Sequence, residues 1–288
     1  MCRLIDDILG FLGENGFECT VQMHSGLDVI CTKSLNGKHE RTLIPLEITA
    51  KSPEEANKLA GTAAKVIEEL PPRPIIITED RWHSQHDMMK ARVLAHLEVF
   101  DQVYARNCEI RKIDKATAAE FLAANHSYGD SSNRYRYGLF LKRHTGHIAS
   151  EGDEIWKYPT GTLVAVATFS NARKWVKGDR TVRSYEWIRY ASLPGLRISG
   201  GMGKLLKSFI EDVQPDDIMS YADLEWSEGT VYEQLGFALE GQKEPVMFSV
   251  DEQWRRSPVK TEMTGPSGNL FYRNFGSNKY RLKLTDYE

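Results

Sequence analysis

The sequence predicts an α/β protein of the α+β kind, with a mixed central sheet in its C-terminal part and a smaller α-β-β-β-α-β unit before it. Three observations carry this. The chain has 288 residues, more than most single cores need, so two domains are expected. Hydrophobic residues make up 41% and charged residues 27%, the balance of a globular chain that can bury a core. The helix and strand signals run once through a compact order and then begin again near Cys108.

The first run opens with LIDDILGFLGENG, where Leu4, Ile5, Ile8, Leu9 and Leu12 share a helical face and Gly13 and Gly16 end it. FECTVQ, LDVICT and RTLIPLEIT follow as strands, the last two joined through Asn36-Gly37, a hairpin turn signal. Ser52-Pro53-Glu54-Glu55 then opens a helix, with Ser52 as cap and Glu55 closing a capping box. Pro71-Pro72 stops it, PIIIT reads as a buried strand, and a further helix is expected from Ser84 to about Leu97. The boundary is placed near residue 103, giving domains 1–103 and 104–288.

The second run starts with the strand CEIRKI and a helix from Lys115 to Asn125. YGLFLK and TLVAVATFS are strands around an excursion, HTGHIASEGDEIWKYPTGT. SYEWIRYASL is a strand, a Gly-rich turn leads into the helix GKLLKSFIEDV, and DIMSYADL, a short helix at TVYEQLG, and PVMFSV complete the order.

A formal net charge of -3 gives none of the overall basic excess of a dedicated nucleic-acid binder, although a local basic groove is compatible with it. Cys2, Cys19, Cys31 and Cys108 form no CxxC pair, so they read as free thiols rather than as a zinc site or disulfide framework. Asp6, Asp7 and Glu14 interrupt any signal-peptide core, and no apolar run is long enough to span a bilayer. A cytoplasmic location is the expectation.

The most informative stretch is Leu193-Pro194-Gly195-Leu196-Arg197-Ile198-Ser199-Gly200-Gly201-Met202-Gly203-Lys204-Leu205-Leu206, between a strand and an amphipathic helix. Its glycines let the backbone turn tightly and approach a ligand. Helix N-terminal amides without acceptors suit a pyrophosphate, with Arg197 or Lys204 adding charge. A plain strand-to-helix turn would also account for it. The Rossmann pattern fails because Leu206 stands where its third glycine belongs, and no GKS or GKT completes a P-loop.

Arg197-x-x-Gly200-x-Met202 resembles the acyl-CoA loop of the GNAT superfamily of N-acyltransferases, R/Q-x-x-G-x-G/A, with Met202 where a small residue is usual. Val231-Tyr232-Glu233-Gln234-Leu235-Gly236-Phe237 resembles that superfamily's LYEKLGF segment. The resemblance covers residues 104 to 250, and SYADLEWSEGTVYEQLGF with NLFYRNFGSNKYRLKL is similar to a branch found in phage and mobile elements. It implies acyl transfer from acetyl-CoA or another acyl-CoA to an amine. The loop from Leu193 through Arg197, Ile198, Ser199, Gly200, Gly201, Met202, Gly203 and Lys204 would hold the cofactor. An amide near Ala191 to Leu193 would meet the thioester oxygen, and Tyr232 would serve as general acid.

Glu186 is the first candidate for the base, with Asp223 and Glu225 behind it. Strict alternation would put Tyr185, Trp187 and Arg189 on one face and Glu186, Ile188 and Tyr190 on the other. Asn125-His126-Ser127-Tyr128-Gly129 would line the acceptor side, with His126 orienting an acceptor or anchoring its loop. NARKWVKGDRTVR carries Arg173, Lys174, Lys177, Arg180 and Arg183 around Trp175, either a solvated hairpin or a surface for nucleic acid.

The order of the first domain resembles the PD-(D/E)xK nuclease core, which implies a metal held by carboxylates on adjacent strands. Asp28 and Glu47, 19 residues apart, are the candidate Mg²⁺ ligands. Thr49 stands where that family has Lys, with Lys51 two residues on, so a nuclease-like domain that is degenerate, or that binds nucleic acid without cutting it, is expected. His83-x-x-His86-Asp87 offers too few ligands for a strong site. Against acyl transfer stand two other functions: a metal-dependent DNA endonuclease, and a non-catalytic DNA-binding protein that keeps both folds.

Overall fold

A computed structural model describes residues 3–35, 37–148, 155–259 and 269–287. The chain divides into two compact units: 1–98 with 221–230 and 241–278, and 99–220 with 231–240 and 279–288. The first division falls at 98/99, and two segments from beyond residue 104 belong to the first unit.

In the first unit, α1 (Leu4–Glu14) leads to β1 (Phe17–His24), β2 (Leu27–Ser34) and β3 (Glu40–Leu46), then α2 (Pro53–Glu69), β4 (Ile75–Thr78), α3 (Glu79–Ser84) and α4 (His86–His96). The strands form one sheet in the order β1-β2-β3-β4, antiparallel except for the parallel β3–β4 pair. Between β2 and β3, Gly37 takes a φ of 68°; Asn36 lies outside the described residues. Ser52 caps α2 as expected, accepting the Glu55 amide at 3.3 Å, but the Glu55 carboxylate accepts the amide of Lys51, one residue before the cap, at 2.7 Å. The helix expected from Ser84 to about Leu97 is α4, and a short helix not expected from the sequence, α3, precedes it directly where the four-residue strand β4 ends.

In the second unit, β5 (Asp101–Tyr104), β6 (Cys108–Lys112), α5 (Lys115–Asn125), β7 (Tyr135–Leu141), β8 (Thr145–Ile148), β9 (Ile155–Tyr158), β10 (Leu163–Phe169), β11 (Arg173–Lys177), β12 (Arg180–Ser192), β13 (Leu196–Ser199) and α6 (Gly201–Val213) follow in order. β14 (Asp217–Asp223), α7 (Thr230–Gln234) and β15 (Ala238–Lys243) come next. The chain then gives β16 (Met247–Val250), β17 (Arg256–Pro258) and β18 (Leu270–Arg273), a small sheet in the first unit, and ends in β19 (Ser277–Lys283). The large mixed sheet has the order β15-β19-β14-β12-β10-β7-β6.

α6 is held on this sheet by aromatic packing. Phe209 is fully buried and stacks on Phe169 with centroids 3.9 Å apart, while the Tyr135, Tyr137 and Tyr185 rings meet it edge-on. The Tyr137 hydroxyl donates to Asp212 at 2.7 Å and pins the helix end. On the other face, Ala118, Phe121 and Leu122 of α5 pack against Val166 and Ala191. The expected excursion between β7 and β10 contains the pair β8–β9; residues 149–154 lie outside the described residues. Among the described residues no helix is long and apolar enough to cross a membrane.

Candidate functional site

β12 is the longest strand of the second unit, 13 residues, and it changes partners along its length. It runs parallel to β14 through only three pairs, Ser184↔Asp217, Tyr185↔Ile218 and Glu186↔Met219. At the next position a side chain replaces the ladder: the Ser220 hydroxyl reaches the Trp187 carbonyl at 3.0 Å. Beyond that point β12 keeps its ladder to β10 as far as Ser192. A parallel pair that stops mid-strand leaves one edge of β12 with donors and acceptors to offer.

A β-bulge lies at this point. Phe169 pairs with Trp187 and Thr168 with Arg189, so Ile188 has no residue opposite. Strict alternation through residues 185–190 is therefore wrong. Tyr185 and Trp187 lie on the α6 face, but the extra residue carries Arg189 to the face of Glu186 and returns Tyr190 to that of Trp187, where the two rings meet at 6.3 Å. The Leu193 amide donates to Val164 at 2.9 Å, so it is spent on β10. By ladder alternation Ala191 faces β10 as well, and the amides of Tyr190 and Ser192 aim at the opposite edge.

The glycine loop follows. Leu196–Ser199 is not an irregular turn but the strand β13, paired in parallel with β5. Gly200 takes φ 76°, a left-handed conformation that favours glycine, and α6 begins at Gly201 with no side-chain cap and no acid in its first turn. Lys204 is the first residue whose amide returns to Gly200, leaving the amides of Gly201, Met202 and Gly203 without intrahelical acceptors. A Cβ on Gly201 would stand 2.9 Å from the Ile198 side chain, and one on Gly203 would stand 3.3 Å from Leu235. Met202 between them is half-buried, and Ile198 is buried. Ser199 accepts from Gln102 at 2.8 Å. Arg197 is exposed, with its guanidinium 5.1 Å from the Phe100 ring centre. Lys204 turns away: its ammonium donates to the carbonyls of Ala105, at 2.9 Å, and Cys108.

Tyr232 sits on α7, which Gly236 ends at φ 87° as the Phe237 amide returns to the Tyr232 carbonyl at 2.9 Å. Its ring stacks on Tyr280 and meets Trp187 and Phe237 edge-on. Its oxygen lies 2.8 Å from the Ser220 hydroxyl, which also contacts the Trp187 carbonyl. A carbonyl only accepts, so Ser220 spends its proton there, and the phenol donates to Ser220. Burial raises the Tyr232 pKa, so the phenol keeps its proton at neutral pH.

Glu186 shares its face with Arg189, whose guanidinium donates to the Gly129 carbonyl at 3.1 Å. Burial lowers the Arg189 pKa, opposed by the charge of Glu186. His126 Nδ1 accepts the Tyr128 amide at 3.1 Å, a loop-anchoring contact. Asp223 and Glu225 belong instead to the first unit. There Glu225 is fully enclosed by Arg81 at 2.6 Å, Arg256 at 3.2 Å and the Tyr272 hydroxyl at 2.6 Å, an arrangement with no access for a substrate.

Asp28 and Glu47 do converge in the first unit, but on a side chain. Arg3 lies 3.1 Å from Asp28 and 3.8 Å from Glu47, in the wall of a cleft of about 200 Å³ that Thr49 also lines. The guanidinium supplies the positive charge that a metal would bring. His83 stacks on Trp254 and His86 meets Trp82 edge-on. Among the described residues no group of three or more His, Cys, Asp or Glu could hold a metal ion.

The chain matches no family model and no curated protein. Solved structures resemble it in part. An acetyltransferase from Corynebacterium glutamicum, described as related to histone acetyltransferase HPA2, is 11% identical over 63% of this chain and 99% of its own, with a TM-score of 0.35. A GNAT-family acetyltransferase from Bacillus anthracis is 14% identical over 62% and 95%, with a TM-score of 0.30. Eis1 from Mycobacterium abscessus is 15% identical over 55% and 37%, with a TM-score of 0.32. At such scores the shared geometry is partial and carries no weight on activity.

Proposed function

We propose that the second unit is an N-acyltransferase that takes its acyl group from acyl-CoA. The observation that carries this is the opening of β12 from β14 beyond Glu186, beside the uncapped, glycine-built N-terminus of α6. The helix end offers three unsatisfied amides and a partial positive charge to a pyrophosphate. The open edge of β12 offers the Tyr190 and Ser192 amides to an extended pantetheine chain and to the oxygen of a thioester. Acyl-CoA supplies the activated thioester.

The loop fits a pyrophosphate best in a frame one residue later than Arg197-x-x-Gly200-x-Met202. Ile198-x-x-Gly201-x-Gly203 puts glycine at both tight positions, one where a Cβ would collide with Ile198 and one where it would press on the Leu235 side chain. Met202 then falls at the variable position, and Arg197 remains an exposed flank. The protonated Tyr232 would turn its O–H from Ser220 to the leaving thiolate, and Ser220 would turn its own O–H from the Trp187 carbonyl to the phenolate left behind. Glu186, beside Arg189 and the Gly129 loop, would accept the proton of the attacking amine. The endonuclease alternative gains no support from Asp28 and Glu47, which Arg3 already engages.

Calorimetric titration with acetyl-CoA tests this reading. Saturable binding is expected, weakened at least about ten-fold by Ser199→Glu, which sets a negative charge beside the pyrophosphate site. No binding of the wild-type protein at millimolar ligand would overturn it.

A further inference from the structure

We infer that the hairpin of β11 and the start of β12 binds the phosphodiester backbone of a single-stranded nucleic acid. Residues 173–183 hold five Lys and Arg against one Asp, a local net charge of +4 in a chain whose total is -3. The structure concentrates that charge on an edge. Among the described residues β11 pairs only with β12, and all five of its residues are exposed.

The register shows a cost that packing does not explain. Of the five cross-strand pairs, Lys174↔Arg183 and Lys177↔Arg180 set cation directly opposite cation. Like charges so placed destabilise a ladder. Asp216 relieves part of this, lying 2.8 Å from Arg180 and 3.8 Å from Arg183. Among the described residues Arg173, Lys174 and Lys177 make no ion pair. Lys283 adds charge beside them, since both it and Lys177 lie over the Tyr287 ring. A polyanion would turn this repulsion into attraction.

The hairpin also carries exposed apolar side chains among its cations. Trp175 is 38% exposed, with its ring edge-on to Tyr287, and Val176 is 74% exposed. Cations that track a backbone, interleaved with an aromatic on which a base can stack, are the recognition chemistry of unpaired strands. This surface is independent of acyl transfer, and acetyl-CoA binding is expected to be unchanged by substitutions in it.

The test is fluorescence anisotropy of the full chain with labelled single strands of about 16 nucleotides, one DNA and one RNA of the same sequence, across a salt series. Saturable binding is expected. The triple variant Arg173→Ala, Lys174→Ala, Lys177→Ala should weaken it at least about ten-fold at 0.1 M salt and lower the slope of log Kd against log salt by about 2. Trp175→Ala should weaken binding with little change of slope. Because the triple variant relieves like-charge pairs, its melting temperature should equal or exceed the wild-type value, and Lys174→Ala alone should lower the slope by about 0.7. Equal affinity for the two strands points to phosphate and stacking, and an RNA preference adds a contact to the 2′-hydroxyl; either supports the inference. No saturable binding at about 50 mM salt, or a triple variant with wild-type affinity and slope, would overturn it. So would binding to phosphatidylserine vesicles without binding to either strand.

Discussion

The setting of Tyr232 is made by burial and by Ser220, and neither is local in sequence. The hydrogen bond to Ser220 spans 12 residues and a strand-to-helix connection. Tyr232 was a candidate from the segment that leads to Gly236; its partner was not, because a serine in a buried strand gives no signal until a hydroxyl is placed beside it. Tyr232→Phe removes the proton and little volume. If the phenol is the acid, kcat should fall roughly 100-fold with KM for acyl-CoA little changed. If the ring only packs, kcat should stay near wild type and the loss should appear as about 1 kcal/mol of stability. Arg189 shows the converse limit. Its identity was plain, but the face it occupies depends on one unpaired residue, Ile188.

Elements with local instructions were readable, and those defined by distant partners were not. Helix α5 runs from Lys115 to Asn125 as its pattern predicts, with the Asp114 carboxylate capping the Thr117 amide at 2.8 Å. The strand β13 was missed because Leu196–Ser199 looks like a glycine-flanked turn until β5, more than 90 residues earlier, pairs with it. The bulge in β12 was missed because alternation assumes an unbroken ladder. Glycines separate the same way. Gly61 lies within α2 with nothing near a would-be Cβ, whereas Gly201 has no room for one. Thermal melts should therefore move oppositely: Gly61→Ala is expected to stabilise by about 0.5–1 kcal/mol, and Gly201→Ala to destabilise by about 1–3 kcal/mol and weaken acyl-CoA binding. A Gly201→Ala protein with wild-type melting and affinity would contradict the tight packing assigned to this loop.

At the scale of the whole molecule, the chain order of the first unit hides its assembly. Arg81 meets Glu225 from 144 residues away, and Arg256 meets Asp80 from 176. These buried charges join all three segments of that unit. Burial alone would raise the Glu225 pKa, but Arg81, Arg256 and the Tyr272 hydroxyl hold it down to about 2. His96, stacked on Trp226, is pushed the other way from its ordinary range, to about 4, by burial and by Arg92 and Arg41. For the histidine, the unfolded chain takes up a proton first, so stability falls as pH drops from 6.5 toward 4. For the glutamate, stability present above 4.5 is lost as pH falls toward 2. Equilibrium unfolding across pH should show both losses in succession, and His96→Gln should flatten the first of them alone. Arg256→Leu leaves Asp80 and Glu225 under-compensated and should cost about 3–5 kcal/mol.

In the proposed complex acyl-CoA lies against the open edge of β12 and the start of α6. Hydrogen exchange of the intact protein, with and without saturating acetyl-CoA, reads those amides directly. Slowed exchange at Tyr190, Ser192 and Gly200 to Gly203, with the β11–β12 hairpin unchanged, is the predicted result. Saturable binding that leaves those amides exchanging as before, or protects a different part of the chain, would contradict it.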